Sequence, residues 1–252
     1  RFTAIASEKL GHKAGTTTSK NLSGTGHPAM ELIVLGVSSS NHAQCRRTLD
    51  QTKIALKTPF AYELIPGETI DVVPAKIWTY SGRTNVSGKI AGKSFDVQAL
   101  QLTPLKLHEY GTWNPQDHEW AGDEYDLSQS DWAKEIIAAG IRPVFEMEAF
   151  IPGQDLDDID SDPIYEAVEL FHSGYERAAL SSLNKMLEQD LRCIDAHAHL
   201  GSFTFDTDPK MALKHYEVGK AIAELSQDPQ ILGVLPWGLI DNRPYLRCLH
   251  GY

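Results

Sequence analysis

The sequence predicts an α+β fold in which a small antiparallel β-sheet or barrel module precedes a region of successive helices. Two patterns support this prediction. Residues 58–107 contain short alternating segments separated by Gly and Pro, which is typical of antiparallel strands. From residue 163 onward, apolar residues recur with the 3.6-residue period of helices.

The predicted β module spans residues 58–107. Its candidate strands are rich in Val, Ile, Tyr and Trp, which fit a pleated, half-buried surface. Turn residues such as Pro66-Gly67 and Ser81-Gly82 separate them. The segments read FAYELI, TIDVV, KIWTY, NVSGKI and SFDVQAL. These short strands predict a small sheet or barrel.

The other non-helical parts of the chain are less regular. Residues 1–29 are rich in Gly, Ser, Thr and Lys, and we expect them to form a flexible tail. Residues 30–57 form a segment whose secondary structure the sequence leaves uncertain. Residues 108–162 are predicted to form an acidic connecting layer with one helix, from Asp131 to Ala139, which Gly140 ends.

The helical region begins at the stretch SDPIYEAVELF. Ser161 or Asp162 can cap this helix, and Pro163 suits its first turn because the missing N–H needs no partner there. The apolar period predicts helices over Glu166–Phe171, Glu176–Gln189, Ile194–Thr204, Pro209–Leu225 and Pro244–Tyr252. Residues 163–252 are therefore predicted to be helical.

Charge is distributed unevenly along the chain, whose formal net charge is −11. Residues 1–57 hold eight Lys/Arg and three Asp/Glu, whereas residues 108–252 hold ten and 27. The acidic C-terminal part would repel nucleic acid and anionic membranes. Apolar runs fall short of the roughly 20 residues of a membrane-spanning helix. The three cysteines show no paired spacing, which indicates reduced thiols and a cytoplasmic protein.

Two strings look like ligand-binding motifs but fail their geometric requirements. Asp158, Asp160, Asp162 and Glu169 match the ligand spacing of a calcium loop, yet Pro163 stands where that loop turns on Gly. The stretch SGRTNVSGKIAGKS lacks the four-residue spacing of a P-loop and leads into a strand-like segment. We expect an acidic linker and hairpin turns instead.

The stretch CIDAHAHLG resembles the His-x-His of metal-dependent hydrolases. Such a pair binds one metal when it ends a strand of a (β/α)₈ barrel. Here the preceding residues are helical, and the 53 residues after His199 are too few for such a barrel. On a helix, His197 and His199 lie about 200° apart and cannot share an ion. A metal-dependent hydrolase using these two histidines is therefore the least favoured alternative.

A repeated helical pattern is more informative. Residues 174–201, GYERAALSSLNKMLEQDLRCIDAHAHLG, resemble the tetratricopeptide repeat, in which small residues let two helices approach and larger ones fill the groove between hairpins. The matching positions are Ala179, Leu183, Leu187, Asp190, Ala196, Leu200 and Gly201. A second unit follows in SFTFDTDPKMALKHYEVGKAIAEL, and LIDNRPYLRCLHGY resembles the first helix of a third.

From Thr58 to Tyr252, the chain resembles a family of bacterial cytoplasmic proteins that contain tetratricopeptide repeats and have no assigned activity. The stretches that carry this resemblance include IPGETIDVVPAKIWTYSG, ALQLTPLKL and LPWGLIDNRPYLRCLHGY. The resemblance implies α-helical tetratricopeptide-like repeats over residues 163–252, in a chain cut at its C-terminus inside a repeat. It supplies no catalytic residues to carry over, and we expect no cofactor.

The leading expectation is a non-enzymatic adaptor or scaffold for protein–protein interaction. Its helical-repeat groove would hold an unknown protein or peptide. The candidate groove residues are Tyr165, Glu169, His172, His197 and Phe203.

The alternative is that the β module binds single-stranded nucleic acid. Its candidate residues interleave cations with aromatics, as base stacking and phosphate contact require. They are Lys76, Trp78, Tyr80, Arg83, Lys89 and Lys93. Residues 58–107 hold five Lys/Arg and four Asp/Glu, a surplus of one positive charge. That surplus is small beside an acidic domain and disfavours nucleic acid as a partner.

Overall fold

Five strands between Met30 and Ser94 close into a barrel. The computed structural model of the chain describes residues 27–117, 130–155, 157–158, 161–227 and 233–252. The barrel strands are β1 (Met30–Ser39), β2 (His42–Arg47), β3 (Lys53–Lys57), β4 (Thr69–Tyr80) and β5 (Arg83–Ser94). Their order around the barrel is β1-β2-β3-β5-β4, and β4 pairs back to β1.

Strands β3 and β5 run parallel, whereas the other neighbouring pairs are antiparallel. A closed five-stranded barrel with this order has the topology of the OB-fold. The α+β class with a barrel module, predicted from the sequence, is confirmed. The fold alone assigns no function, because function depends on the side chains that a fold carries.

Alternation of side chains along each strand builds the barrel core. In β3, Ile54 and Leu56 are buried, while Lys53 and Lys57 are exposed. Because successive side chains of a strand point to opposite faces, burying one set places the intervening polar set on the outer surface. The buried set is Leu32, Val34, Ala43, Cys45, Ile54, Leu56, Ala61, Leu64, Ile70, Val72 and Val86.

Two predicted strands are wrong. The segment FAYELI forms a 3-10 turn at Ala61–Glu63, and SFDVQAL forms another at Val97–Leu100. Phe60 has a left-handed φ of 61°, which interrupts an extended chain. The Asp96 carboxylate accepts a hydrogen bond from the Gln98 amide at 2.9 Å. Local turn geometry therefore overrides the strand propensity of these aliphatic and aromatic residues.

The barrel begins earlier in the chain than the predicted module. Residues 30–57, whose structure was uncertain from the sequence, form β1, β2 and β3. Strands β2 and β3 contain Arg, Lys, Gln and Ala where Val, Ile and Thr usually mark strands. Propensity therefore does not reveal them, and their pairing with β1 and β5 decides their structure.

A two-stranded sheet and one helix follow the barrel. Strand β6 (Leu107–Trp113) pairs antiparallel with β7 (Arg142–Met147). Helix α1 (Asp131–Ala138) lies between them in sequence. Gly140 after this helix has a left-handed φ of 71°, which glycine adopts without strain. The predicted helix and its glycine stop are confirmed.

Five helices make up the C-terminal part of the described chain. They are α2 (Pro163–His172), α3 (Glu176–Gln189), α4 (Ile194–Thr204), α5 (Pro209–Glu224) and α6 (Arg243–Gly251). These helices confirm the predicted set to within three residues at each end. Asp162 caps α2, because its Oδ1 accepts hydrogen bonds from the Ile164 and Tyr165 amides, both at 3.0 Å. Helices α2 and α3 pack as one hairpin, and α4 and α5 pack as another.

Glycine permits close contact among α4, α5 and α6. The Tyr216 ring of α5 lies against Gly201 of α4 and Gly251 of α6. A Cβ at Gly201 would lie 2.4 Å from Tyr216 Cε1, and one at Gly251 would lie 2.5 Å from Tyr216 Cδ2. The ring therefore fills the space that two absent side chains leave, as close packing of a protein interior requires.

The helices meet the barrel at β1. A Cβ at Gly36 would lie 2.2 Å from Glu188 Cγ of α3, so this approach requires glycine. The Val37 amide donates a hydrogen bond to Asn184 Oδ1, also on α3, at 3.1 Å. In the barrel, β1 lies opposite β3 and β5. The helices therefore cover one side of the barrel and leave the β3–β5 side uncovered by these elements.

Part of the predicted tail and of the connecting layer lies outside the described residues, namely 1–26, 118–129, 156 and 159–160. The described part of the layer consists mainly of β6, α1 and β7. A search of the described helices finds none that is long and apolar enough to cross a membrane.

We predict that Gly201→Ala destabilises the protein although alanine favours helix formation. The new methyl group would collide with the Tyr216 ring. Overpacking costs about 1–3 kcal/mol, which exceeds the roughly 1 kcal/mol or less gained in helix propensity. The expected result is a lower urea midpoint in equilibrium unfolding followed by circular dichroism.

Gly238→Ala is the control for this prediction, because a Cβ there meets no atom within 4 Å. Its urea midpoint should stay close to that of the wild type. A wild-type midpoint for Gly201→Ala would contradict the tight packing of the Tyr216 ring.

Candidate functional site

The outer face of β2, β3, β5 and β4 carries polar, basic and aromatic side chains in rows across the strands. The pairing register defines these rows. One row contains His42, Lys57, Ser87 and Lys76; the next contains Gln44, Ala55, Asn85 and Trp78. A third row contains Arg46 and Lys53 on β2 and β3. It continues with Arg83 and Tyr80 on the β4–β5 hairpin. We call the surface formed by these rows the barrel face.

Two aromatic rings lie near the tip of the β4–β5 hairpin. Tyr80 is 74% exposed. Lys76 Nζ lies 5.6 Å from the centroid of the Trp78 ring, a cation–π contact that places both side chains on one side of the strand. The hairpin turns at Ser81 and Gly82, both of which have a left-handed φ. The Tyr80 ring is therefore accessible to a planar ligand, whereas the Trp78 ring is half-buried beside the positive charge of Lys76.

The barrel is a basic part of an acidic protein. Residues 30–94 hold eight Lys/Arg and five Asp/Glu, whereas the whole chain has a net charge of −11. Acidic groups lie at the border of the barrel face. Asp50 forms an ion pair with Arg47 in the β2–β3 turn, and Glu188 of α3 interacts with Lys53. The barrel face is thus a basic surface with an acidic border.

The structure brings four of the six predicted nucleic-acid residues together on the barrel face, namely Lys76, Trp78, Tyr80 and Arg83. The other two lie further along β5. Lys89 is exposed beyond the barrel face. Lys93 lies at the end of the strand, where its Nζ donates a hydrogen bond to the Glu63 carbonyl at 3.2 Å. The six residues therefore do not form one compact cluster.

Sequence reasoning missed Lys53 and Lys57, which lie on β3, one of the two inner strands of the barrel face. Both flank the buried residues Ile54 and Leu56 in the stretch KIALK. Its alternation of polar and apolar residues is a strand signal with a period of two. The signal is short and has only one β-branched residue, which explains why it was not recognised.

A cleft of about 460 Å³ lies among α2, α4, α6 and the segment that follows β7. Its apolar lining includes Met147, Ile164, Val168 and Ile194. Its ionisable lining consists of Glu148, Asp162, Arg192, Asp195, His199, Asp241, Arg243 and Arg247, together with tyrosines. An apolar interior with a few placed polar groups is typical of a ligand-binding cleft.

Asp195 contacts both an arginine and a histidine in this cleft. Its Oδ1 accepts a hydrogen bond from Arg247 Nη1 at 2.9 Å and lies 3.5 Å from His199 Nε2. Burial lowers the pKa of His199, although the Asp195 carboxylate acts in the opposite direction. His199 is therefore mainly neutral at neutral pH, and Arg247 carries the positive charge beside Asp195.

The predicted groove residues lie in different places. Tyr165 lines the cleft and is 60% exposed. Glu169 and His172 are exposed on α2 and do not line the cleft. Phe203 stacks on Phe171, with ring centroids 3.8 Å apart, and so joins α4 to α2. Of these positions, Tyr165 is the one that the structure places at the cleft.

His197 is fully buried, which corrects its assignment as a groove residue. Its Nδ1 lies 3.4 Å from Nδ1 of His215 on α5, whereas His199 lines the cleft. Helix α4 turns the two side chains of the His-x-His in different directions, so they do not share an ion. Among the described residues, no group of three or more His, Cys, Asp or Glu side chains is placed to hold a metal.

The His197–His215 pair is a neutral polar contact in the helical core. Burial lowers the pKa of His197 well below its ordinary value and lowers that of His215 to about 3. One Nδ1 donates to the other, so this contact depends on complementary tautomers. His197 Nε2 is buried and has no hydrogen-bond partner within the described chain. The pair therefore tolerates no charge.

The three cysteines, Cys45, Cys193 and Cys248, are free and buried. Burial raises the pKa of Cys45 and of Cys193 to about 12. A protonated, inaccessible thiol is a poor nucleophile and a poor metal ligand. These residues therefore act as small core side chains.

Comparison with known proteins does not identify a family for this chain. No protein-family model, curated protein or solved structure matches the chain. The resemblance to tetratricopeptide-repeat proteins therefore stays a prediction. The side chains of the barrel face and of the cleft are the basis for inferring function.

We predict that acidification destabilises the protein through His197 and His215. Both are held neutral in the folded state, whereas each takes up a proton near pH 6.5 once unfolded. The stability that they confer is present above that pH and is lost as the pH falls towards 3, the folded pKa of His215. Between about pH 7.5 and 5.5, His215 alone should account for a loss of about 1 kcal/mol of unfolding free energy.

Urea unfolding at several pH values measures this loss. His215→Gln keeps a polar side chain but does not titrate, so its stability should depend less steeply on pH than that of the wild type. His250→Gln, at an exposed position on α6, is the control and should keep the wild-type slope. Equal slopes for His215→Gln and the wild type would show that the buried pair does not cause the acid sensitivity.

Proposed function

We propose that this protein binds single-stranded nucleic acid on the barrel face. The main support for the proposal is the strand register, which places four cations and two aromatic rings on the same face of the barrel. They are Lys53, Lys57, Lys76, Arg83, Trp78 and Tyr80. Cations interact with phosphates, and exposed aromatic rings stack on unpaired bases of any sequence. This combination suits an unpaired strand, whose bases are free to leave their own stack.

The position of the barrel face supports the same proposal. Helix α3 packs against β1, which does not neighbour β3 or β5 in the barrel, and its Glu188 reaches only the border of the barrel face, at Lys53. The four cations are exposed. OB-fold barrels that bind oligonucleotides use the β2–β3 surface and the adjoining loops, and the barrel face includes that surface. The fold supports nucleic-acid binding only by analogy, whereas the exposed cations and aromatic rings support it through their chemistry.

Charge determines how strong this binding can be. The barrel strands and their turns carry a surplus of three positive charges over residues 30–94, compared with one over residues 58–107. The helical part is acidic and repels the same ligand. We therefore expect dissociation constants of roughly 1–100 μM, as for non-specific binding, which rise with salt.

We predict that Trp78→Ala weakens binding of a fluorescent oligo(dT) of about twelve nucleotides by roughly 5- to 100-fold. The reason is that losing one aromatic–base stack costs about 1–3 kcal/mol. Fluorescence anisotropy at about 50 mM salt measures the affinity, because low salt favours phosphate contacts.

Trp132→Ala is the matched control, because Trp132 is a 51% exposed tryptophan on α1, outside the barrel. It should bind like the wild type. The proposal is refuted if wild-type protein leaves the anisotropy of both oligo(dT) and oligo(rU) unchanged up to about 100 μM protein.

We propose a second function for the helical cleft, namely binding of a peptide segment from a partner protein. Helices α2, α4 and α6 each contribute to its wall, as the first helices of successive tetratricopeptide-like hairpins would. The protein would then be a non-enzymatic adaptor that connects this partner to a nucleic acid. We place it in the cytoplasm, where free cysteines stay reduced.

We predict that Tyr165→Glu reduces capture of this partner from cell lysate by at least about fivefold. The new carboxylate would place a charge at the exposed edge of the cleft, where a partner must remove water. Quantitative mass spectrometry of proteins retained by each variant measures the loss. Tyr110→Glu, at a 67% exposed tyrosine on β6, is the control. A partner set that does not change between wild type and Tyr165→Glu would argue against the cleft.

A further inference from the structure

A second groove adjoins the barrel face where the chain leaves β3. It encloses about 550 Å³ between residues 58–63 and the end of β5, residues 89–93. Lys57 of the barrel face directly precedes this groove in the chain. Lys57 also pairs with Ser87, two residues before Lys89, a separation of roughly 7 Å along the strand. The groove is therefore continuous with the barrel face.

Phe60 lines this groove in an unusual conformation. Its φ is 61°, a left-handed value that is rare for a bulky residue. The residue is 61% exposed, and the edge of its ring contacts Tyr62 with centroids 6.1 Å apart. A strained backbone that holds an aromatic ring in solvent contributes nothing to the core. Such an outlier points to a ligand for that ring.

Two lysines from β5, Lys89 and Lys93, line the same groove as Phe60. Lys93 is engaged by Glu63, since its Nζ lies 3.2 Å from the Glu63 carbonyl and 3.8 Å from the Glu63 carboxylate. Lys89 is exposed and forms no ion pair within the described chain. The groove therefore combines one exposed ring with one available cation, which are the two groups that bind a nucleotide unit.

We propose that this groove binds a nucleotide of the strand that lies on the barrel face, with its base stacked on Phe60 and a phosphate at Lys89. This inference rests on the proposed nucleic-acid function and extends the binding surface beyond Trp78 and Tyr80. A strand that reaches both regions must be longer than one that covers the hairpin alone. Affinity should therefore increase with oligonucleotide length until the groove is filled.

The test measures the anisotropy of fluorescent oligo(dT) of about four, six, eight and twelve nucleotides, a range that covers the site sizes of OB-folds. Wild-type affinity should rise with length. Phe60→Ala should weaken binding of the longest oligonucleotide by roughly 5- to 100-fold and reduce the gain with length. Phe60→Trp should retain wild-type affinity because it preserves a stacking ring.

Two further variants keep the test decisive. Phe60→Gly removes the ring but accepts the left-handed φ, so it should fold and should bind like Phe60→Ala. Tyr175→Ala, at a 65% exposed aromatic between α2 and α3, is the control and should bind like the wild type.

The outcomes separate this inference from the function on which it rests. If the wild type binds no oligonucleotide, both are wrong. If the wild type binds and Trp78→Ala weakens it, but Phe60→Gly binds every length like the wild type, the groove is not part of the site. A loss confined to the longer oligonucleotides in Phe60→Gly supports the groove.

Discussion

The close approach of α3 to β1 determines which surfaces of this protein are available. It depends on Gly36, because any side chain there would occupy the position of Glu188. A half-exposed ion pair adds a second contact between the barrel and the helices: Glu68, just before β4, is 5% exposed, and its Oε1 accepts a hydrogen bond at 2.6 Å from Lys214 of α5, whose side chain is 43% exposed. Without Lys214, the Glu68 carboxylate would keep a hydrogen bond from the Ile65 amide at 2.9 Å but would lose its ion-pair partner. Glycine and the ion pair thus keep the helices on β1 and away from the barrel face.

That arrangement also separates charge. The barrel has a surplus of cations, whereas residues 108–252 hold ten Lys/Arg and 27 Asp/Glu. If the helices packed on β3 and β5 instead, they would cover Lys53 and Lys57 and place further carboxylates beside Glu188, which already interacts with Lys53. With the helices on β1, a polyanion can approach the barrel face, while the acidic surface repels it from the helical cleft. The two proposed ligands therefore occupy different surfaces and need not compete.

The helices could be predicted from sequence far better than the barrel. Glu176–Gln189 and Ile194–Thr204 agree with their predicted bounds, because an apolar period sustained over several turns and strong end signals are local information. The barrel strands β2 and β3 are short and rich in polar residues, so they are specified by partners distant in the chain. Lys53 and Lys57 were missed for that reason. The left-handed turn at Phe60 was missed because nothing in FAYELI distinguishes it from a strand.

Helix geometry determines the different positions of the two histidines in CIDAHAHLG. Two residues along α4 correspond to a rotation of about 200°, which places His197 in the core against His215 and His199 in the cleft beside Asp195. Neither can complete a metal site with the other, yet both depend on the position of α4. Protonation of the buried pair would place a charge in the core and loosen the packing of this helix. Because α4 also carries Asp195, we expect loosening of this helix to disturb the cleft as well.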